Sequence, residues 1–250
     1  MNIVRKAVML LCAAVVVTGF AACSAFFTNS LASGLARDQD DLVPDVTVKN
    51  IDDLMTQAEG NSDLSLAVLG GIKDAMAGAT PTEQAVLRGA AVELAVTASG
   101  VGTAVLRDSG TIVKTLNGGD LTDPAVKSEL IAEVSSSLSG LSNLQGTSTA
   151  LIAVMPSPTD TVAFDAFVEN ATADDLAMAA VVLLAAEADK SAGGTEAYID
   201  GFDSESGTLS PAEELAVALA VKAADKNEAE GGTGTLNDLL EALNLYTPAP

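Results

Sequence analysis

From Asn50 onward the chain alternates apolar stretches of helical spacing with short polar breaks, and no segment shows the strict alternation of a half-buried strand. The breaks carry helix start signals. Asn50 precedes IDDLMTQAE, and Asn61 or Ser62 precedes DLSLAVLGGIKDAMAG, each placed to cap the helix that follows. Thr80-Pro81-Thr82-Glu83 predicts a capping box with proline in the first helical position: the threonine oxygen satisfies a free N–H and the glutamate reaches back. Asp123-Pro124 opens another helix in the same way, and Ser210-Pro211-Ala212-Glu213 repeats the box.

The starts at Thr80, Thr172 and Ser210 lead into similar text, TPTEQAVLRGAAVELA, TADDLAMAAVVLLAAE and SPAEELAVALAVKAAD. Each sets acids in the first turn, where the helix dipole favours them, and follows with small aliphatic residues. Such repetition predicts stacked helical hairpins, although the starts are unequally spaced. Leu176 to Ala186 is an unbroken apolar run, too short to span a bilayer, and predicts a helix buried on all sides. The pairs Ala85 and Gly89, and Ala216 and Ala220, are small residues four apart that permit close helix approach or plain core packing. The expected fold class is therefore all-α: degenerate antiparallel helical hairpins over residues 47–246, arranged as a superhelix or an irregular helical bundle. A sub-boundary is expected near 156–158, at Pro156-Ser157-Pro158, and a frayed tail over 247–250.

Composition supports helix over sheet. Hydrophobic residues make up 48% of the 250, yet Trp is absent and only 2 Tyr and 6 Phe occur. Between Leu31 and Ala163 there is no aromatic residue, so the core there is built from Leu, Val, Ile, Met and Ala. The charge, 12 basic against 34 acidic residues and a net of −22, argues against nucleic acid as a partner and against attraction to anionic lipid head groups. Anything that holds this chain at a membrane must act by other means than charge.

The N-terminus supplies one. MNIVRK is a short positive region, AVMLLCAAVVVTG is apolar, and small residues follow, so residues 1–22 read as a signal peptide. Phe20-Ala21-Ala22-Cys23 then resembles the lipobox of bacterial lipoproteins, with Phe where Leu is usual. The resemblance implies that Cys23 is lipidated and becomes the mature N-terminus, and that Cys12 is lost with the signal peptide. The rival reading is an uncleaved anchor, because no charge occurs between Lys6 and Arg37. Either way the bulk of the chain lies outside the cytoplasm, facing the periplasm of a bacterial cell envelope. Residues 23–46 form a lipidated tether, in which Phe27, Leu31 and Leu35 share one helical face and make either a short interfacial helix or a flexible linker. Ser24 is not the aspartate of the inner-membrane retention rule for lipoproteins, which points to the outer membrane.

Cys-Ser followed by Asn29-Ser30-Leu31-Ala32, with acidic Ala-rich hairpins across most of residues 50–245, also resembles tetratricopeptide-like helical lipoproteins such as the T-component of TRAP-type transporters. That resemblance implies a TPR-like superhelix. The aromatic and Gly/Ala positions of the tetratricopeptide pattern are not matched, and no functional residue carries over.

The absence of histidine removes Ser-His-Asp and Cys-His catalysis, HExxH zinc sites and ExxH di-iron sites. Gly140-Leu141-Ser142-Asn143-Leu144 lacks the second glycine of a nucleophile elbow, Gly100-Val101-Gly102 lies in a helical neighbourhood, and GGTGT at 231–235 has no following lysine. These are turn signals. Carboxylate pairs at Asp52-Asp53, Asp174-Asp175 and Glu213-Glu214 stand where helix starts attract acids, so no catalytic residue is assigned. A calcium-type loop is partly matched by Asp200, Asp203 and Glu205, with EF-hand spacing off by one residue. The alternative is an acidic loop running into the Ser210 cap. No cofactor is expected.

The function expected from these features is a lipid-anchored, non-catalytic helical binding scaffold for another periplasmic or membrane protein. Two alternatives stand beside it, a carrier of an apolar or small-molecule ligand in an intra-helical cavity and a structural envelope lipoprotein without specific ligand. An exposed patch, a buried pocket of a few hundred cubic ångströms, or a closed core with a charged surface distinguishes the three.

Overall fold

The capping residues set where the chain turns. The computed structural model describes residues 43–118, 123–204, 208–231 and 235–246. In it the Thr80 hydroxyl accepts from the Glu83 N–H at 3.4 Å, and the Glu83 carboxylate accepts from the Thr80 N–H at 2.8 Å. Thr172 with Asp175, and Ser210 with Glu213, close the same reciprocal box. Asn61, not Ser62, caps its helix by accepting from the Leu64 N–H at 3.1 Å, and Asp123 accepts from the Ala125 N–H at 2.9 Å.

The described residues form eleven helices and no strand, so the fold is all-α. In chain order they are α1 (Ile51–Ala58), α2 (Ser62–Met76), α3 (Pro81–Ser99), α4 (Val101–Gly118), α5 (Pro124–Leu138) and α6 (Leu144–Val154), then α7 (Thr161–Asn170), α8 (Ala173–Lys190), α9 (Gly194–Gly201), α10 (Pro211–Ala229) and α11 (Thr235–Ala242). The signal peptide, Cys23, most of the tether and the 247–250 tail lie outside the described residues.

Asn50 departs from the cap expected of it. Its Oδ1 accepts from the Thr47 N–H at 2.8 Å and the Thr47 hydroxyl at 2.9 Å, and its Nδ2 donates to the Asp45 carbonyl at 2.9 Å. An amide side chain spent on the preceding turn has nothing left for the helix, and no side-chain cap bond forms. The turn is fastened to α2 by Val46: a Cβ on Gly71 would lie 2.6 Å from the Val46 Cγ2, so only glycine leaves room.

Consecutive helices α2 and α3, and α4 and α5, pack as pairs, as hairpins would. The centre is different. α8, the unbroken apolar run, packs against α3, α4, α6, α9 and α10, with its most extensive contact to α10. In a solenoid each repeat touches only its neighbours, so a helix shared by five others is the mark of a bundle. Helices on either side of Pro156-Ser157-Pro158 meet there, α3 and α6 from before it and α10 from after.

α8 is buried nearly all round, from Leu176 through Ala186. α10 presents one clean stripe to it, Ala212, Leu215, Ala216, Leu219, Ala220, Ala223 and Ala224, at three- and four-residue spacing. Ala216 and Ala220 therefore sit in a helix seam. Ala85 and Gly89 do not: Gly89 is exposed, and a Cβ there would meet nothing within 4 Å. Between α3 and α4, Gly100 takes φ 74°, the left-handed conformation that ends one helix and starts the next. That is the structural content of Gly100-Val101-Gly102.

Candidate functional site

Two open clefts among the described residues lie around α9 and the turn after α11. α9 is only two turns long, and its Tyr198 and the following Phe202 lie with ring centroids 5.8 Å apart and planes tilted by 32°. The Tyr198 hydroxyl donates to the Glu213 carboxylate, which also accepts from the Ser210 N–H at 2.6 Å as part of the α10 capping box. Burial works to raise the Glu213 pKa, but the hydrogen bonds from Tyr198 and Ser210, with the charge of Lys190, outweigh it and hold the carboxyl below its ordinary range. Burial first, then the bond to Glu213, pushes the Tyr198 phenol well above its ordinary value.

Asn244 ties this corner to the rest. It stands at φ 55°, a left-handed conformation that asparagine tolerates, and its Nδ2 donates to the Ile199 carbonyl at 3.0 Å. Its Oδ1 accepts from the Lys127 ammonium of α5 at 2.7 Å. Three segments far apart in sequence are thus pinned by one side chain.

The walls so assembled enclose an open polar cleft of about 700 Å³, lined by Lys127, Asp200, Phe202, Asp203, Glu241 and Tyr246 among others. A second open cleft of about 430 Å³ is lined by Tyr198, Leu209 and Glu213, and shares Gly201, Phe202 and Asp203 with the first. On the far side of the sequence, Asp52, Glu59 and Glu93 line a third, of about 370 Å³, with Met55 and Leu94 as its apolar wall. There partial burial first, then the charges of Asp175 and Asp52, raise the Glu93 pKa.

An interior void among the described residues is far smaller. Val105, Ile112, Val134, Leu138, Met178, Val181 and the leucines of α11 enclose an apolar void of about 30 Å³. Ser137 lines it too, but its hydroxyl donates to the Asp108 carboxylate at 2.5 Å. Hydrogen bonds from Arg107 and then Ser137 bring that carboxyl down to about 2.

Of the calcium-loop residues, Asp200 sits in the last turn of α9 and Asp203 in the loop that follows, both on the larger cleft; Glu205 lies outside the described residues. Among the described residues no group of three or more His, Cys, Asp or Glu side chains is placed to hold a metal ion. The carboxylate pairs are dispersed over helix starts: Asp52 and Asp53 on α1, Asp174 and Asp175 on α8, Glu213 and Glu214 on α10. Asp175 and Glu213 are consumed as box residues. Sequence reasoning passed over Lys127, Tyr198, Glu241, Asn244 and Tyr246, and the only signal that pointed to them was that both tyrosines of an aromatic-poor chain follow α8.

No protein-family model, curated protein or solved structure matches the chain. Among the described residues no helix is long and apolar enough to cross a membrane.

Proposed function

We propose that this protein is a non-catalytic helical binding scaffold of the bacterial cell envelope, anchored through a lipidated Cys23 and serving another periplasmic or membrane protein. The observation that carries the reading is the contrast in empty space. The void inside the helices is about 30 Å³, whereas the open polar cleft at α9 is about 700 Å³. Pockets that hold small molecules run to ~300–1,000 Å³, so this interior void is too small for a lipid or solute, whereas the open cleft offers a partner a concave surface. The lack of histidine and the use of Asp175 and Glu213 in helix caps favour binding over catalysis. Acyl chains at Cys23 would raise the local concentration of the scaffold near a membrane partner without adding a contact.

A structural envelope lipoprotein without specific ligand is the second reading. Large hydrophobic side chains exposed on the described surface are confined to Val86, Val162 and Val221, which fits a sealed core under a charged coat.

One experiment tests both. C-terminally tagged protein is recovered from gently solubilised envelopes, and mass spectrometry is applied to its N-terminal peptide and to whatever accompanies it. A lipid-modified Cys23 with one stoichiometric companion is the expected result. An intact Met1 overturns the anchor; a lipidated protein recovered alone overturns the scaffold and leaves the structural reading.

A further inference from the structure

We infer that the turn from Asp45 to Asn50 is a clasp that takes up the pull of the N-terminal anchor before it reaches α1. The inference rests on the anchor in the reading above and adds how its load enters the fold. Cys23 precedes this turn in the chain, so a force applied there arrives at Val43 and must pass Val46 and Asn50 before it reaches Ile51.

α1 is poorly built to resist a pull at its own start. It has 8 residues, buries Ile51, Leu54 and Ala58, and has no side-chain bond at its N-cap. Its firm point is at the other end, where the Ser65 hydroxyl of α2 donates to the Ala58 carbonyl at 3.1 Å. A short helix fixed at its far end and open at its near one peels from the near end. The turn supplies what that start lacks. Val46 is buried, and a Cβ on Gly71 would lie 2.6 Å from its Cγ2 and 3.4 Å from its Cβ, so the side chain sits in a slot that α2 leaves open only at glycine. Being β-branched, it has few rotamers by which to swing out. The Asn50 amide braces the backbone on both sides of it: Oδ1 accepts from the Thr47 N–H and hydroxyl, and Nδ2 donates to the Asp45 carbonyl. Val43 and Val48, half-buried, pack against the core on either side of the plug. The clasp therefore stands in series ahead of α1. Because α1 supplies Asp52, Met55 and Glu59 to the cleft of about 370 Å³, the clasp also keeps that wall in place under load.

Gly70 and Gly71 make a matched pair for the test. Both lie in α2 and alanine raises helix propensity at either, but a Cβ on Gly70 meets nothing within 4 Å. The full chain in detergent, with Cys12→Ser so that Cys23 alone takes a thiol handle, is pulled between Cys23 and a C-terminal tag in optical tweezers. In wild type and Gly70→Ala, α1 unravels only together with the body. In Gly71→Ala and in Asn50→Ala it unravels in a separate step at lower force. Hydrogen exchange without load reads the same release: α1 amides exchange about tenfold faster in Gly71→Ala and Asn50→Ala and stay within about twofold of wild type in Gly70→Ala, while those of α8 are unchanged. If Gly71→Ala also speeds exchange in α8, Asn50→Ala, whose amide bonds lie in the turn, carries the comparison. A separate early step already present in wild type, or equal traces for Gly70→Ala and Gly71→Ala, overturns the clasp and leaves the anchor standing. An intact Met1 in the envelope recovery overturns the anchor, and with it the load, whatever the traces show.

Discussion

The seam between α8 and α10 and the corner built by α9 and the turn at Asn244 are held together by different physics. The seam is alanine and leucine at helical spacing, sealed from water, with Leu176, Leu183, Leu184 and Leu219 fully buried. The corner is made of single polar bonds between distant residues, Lys127 to Asn244, Asn244 to Ile199, and Tyr198 to Glu213. A surface lined by open clefts is not sealed, and the shape of this corner is kept by hydrogen bonds where the seam relies on burial. The difference teaches what each region contributes: a change in the seam should unfold the protein, and a change in the corner should reshape a cleft.

The largest effect is expected at Leu184. Truncating a fully buried leucine on the most enclosed helix removes its transfer energy and leaves a cavity that five neighbouring helices cannot all close. Leu184→Ala should cost about 3 kcal/mol in urea unfolding. A loss below about 1 kcal/mol would mean that the seam is loosely packed and the comparison false.

Lys226 should give the next largest effect. It lies on α10, and its ammonium donates to the carbonyls of Val168 and Glu169 at 3.1 and 3.2 Å and to that of Ala171, closing the C-terminal end of α7. Lys222 adds an ion pair to Asp165 on the same helix at 3.2 Å. Lys226→Met keeps the aliphatic stem and strands those carbonyls, so about 2 kcal/mol should be lost. Lys222→Met serves as the control: as a half-exposed pair it should cost well under about 1 kcal/mol. Equal losses at the two positions would show that α7 is held by charge and not by its cap.

The seam could be read from sequence and the corner could not, for one reason. Helical spacing and caps are local: Thr80, Thr172 and Ser210 announce their helices within four residues, and Leu176 to Ala186 announces a buried helix by lacking any polar face. The bonds that shape the corner join residues with no local relation, 117 positions apart for Lys127 and Asn244 and 45 for Ile199 and Asn244. α9 carries no side-chain cap bond at its start and is bounded by glycines, so its existence left no periodic trace. Asn50 shows the local rule meeting competition, since the residue type was right for a cap and the turn before it took the side chain.

The smallest and most specific effect is expected at Tyr198. Tyr198→Phe keeps the ring against Phe202 and removes the donor to Glu213, which still accepts from Ser210, so about 1 kcal/mol should be lost at neutral pH. The pH dependence carries the diagnosis. Glu213 has a folded pKa below its ordinary 4.5, so its contribution is present above that value and is lost as pH falls through the folded pKa. Tyr198 has a folded pKa above its ordinary 10.0, so its contribution is present below pH 10 and declines as pH rises beyond it. The stability difference between wild type and Tyr198→Phe should therefore be flat from about pH 5 to 9 and shrink on both sides. Lys190 and Glu187 also face this pair electrostatically, and the double variant with Lys190→Met separates their share of the acid limb. A difference that stays constant from acid to alkali would mean that the hydroxyl only fills space, and that this corner, like the seam, is held by packing.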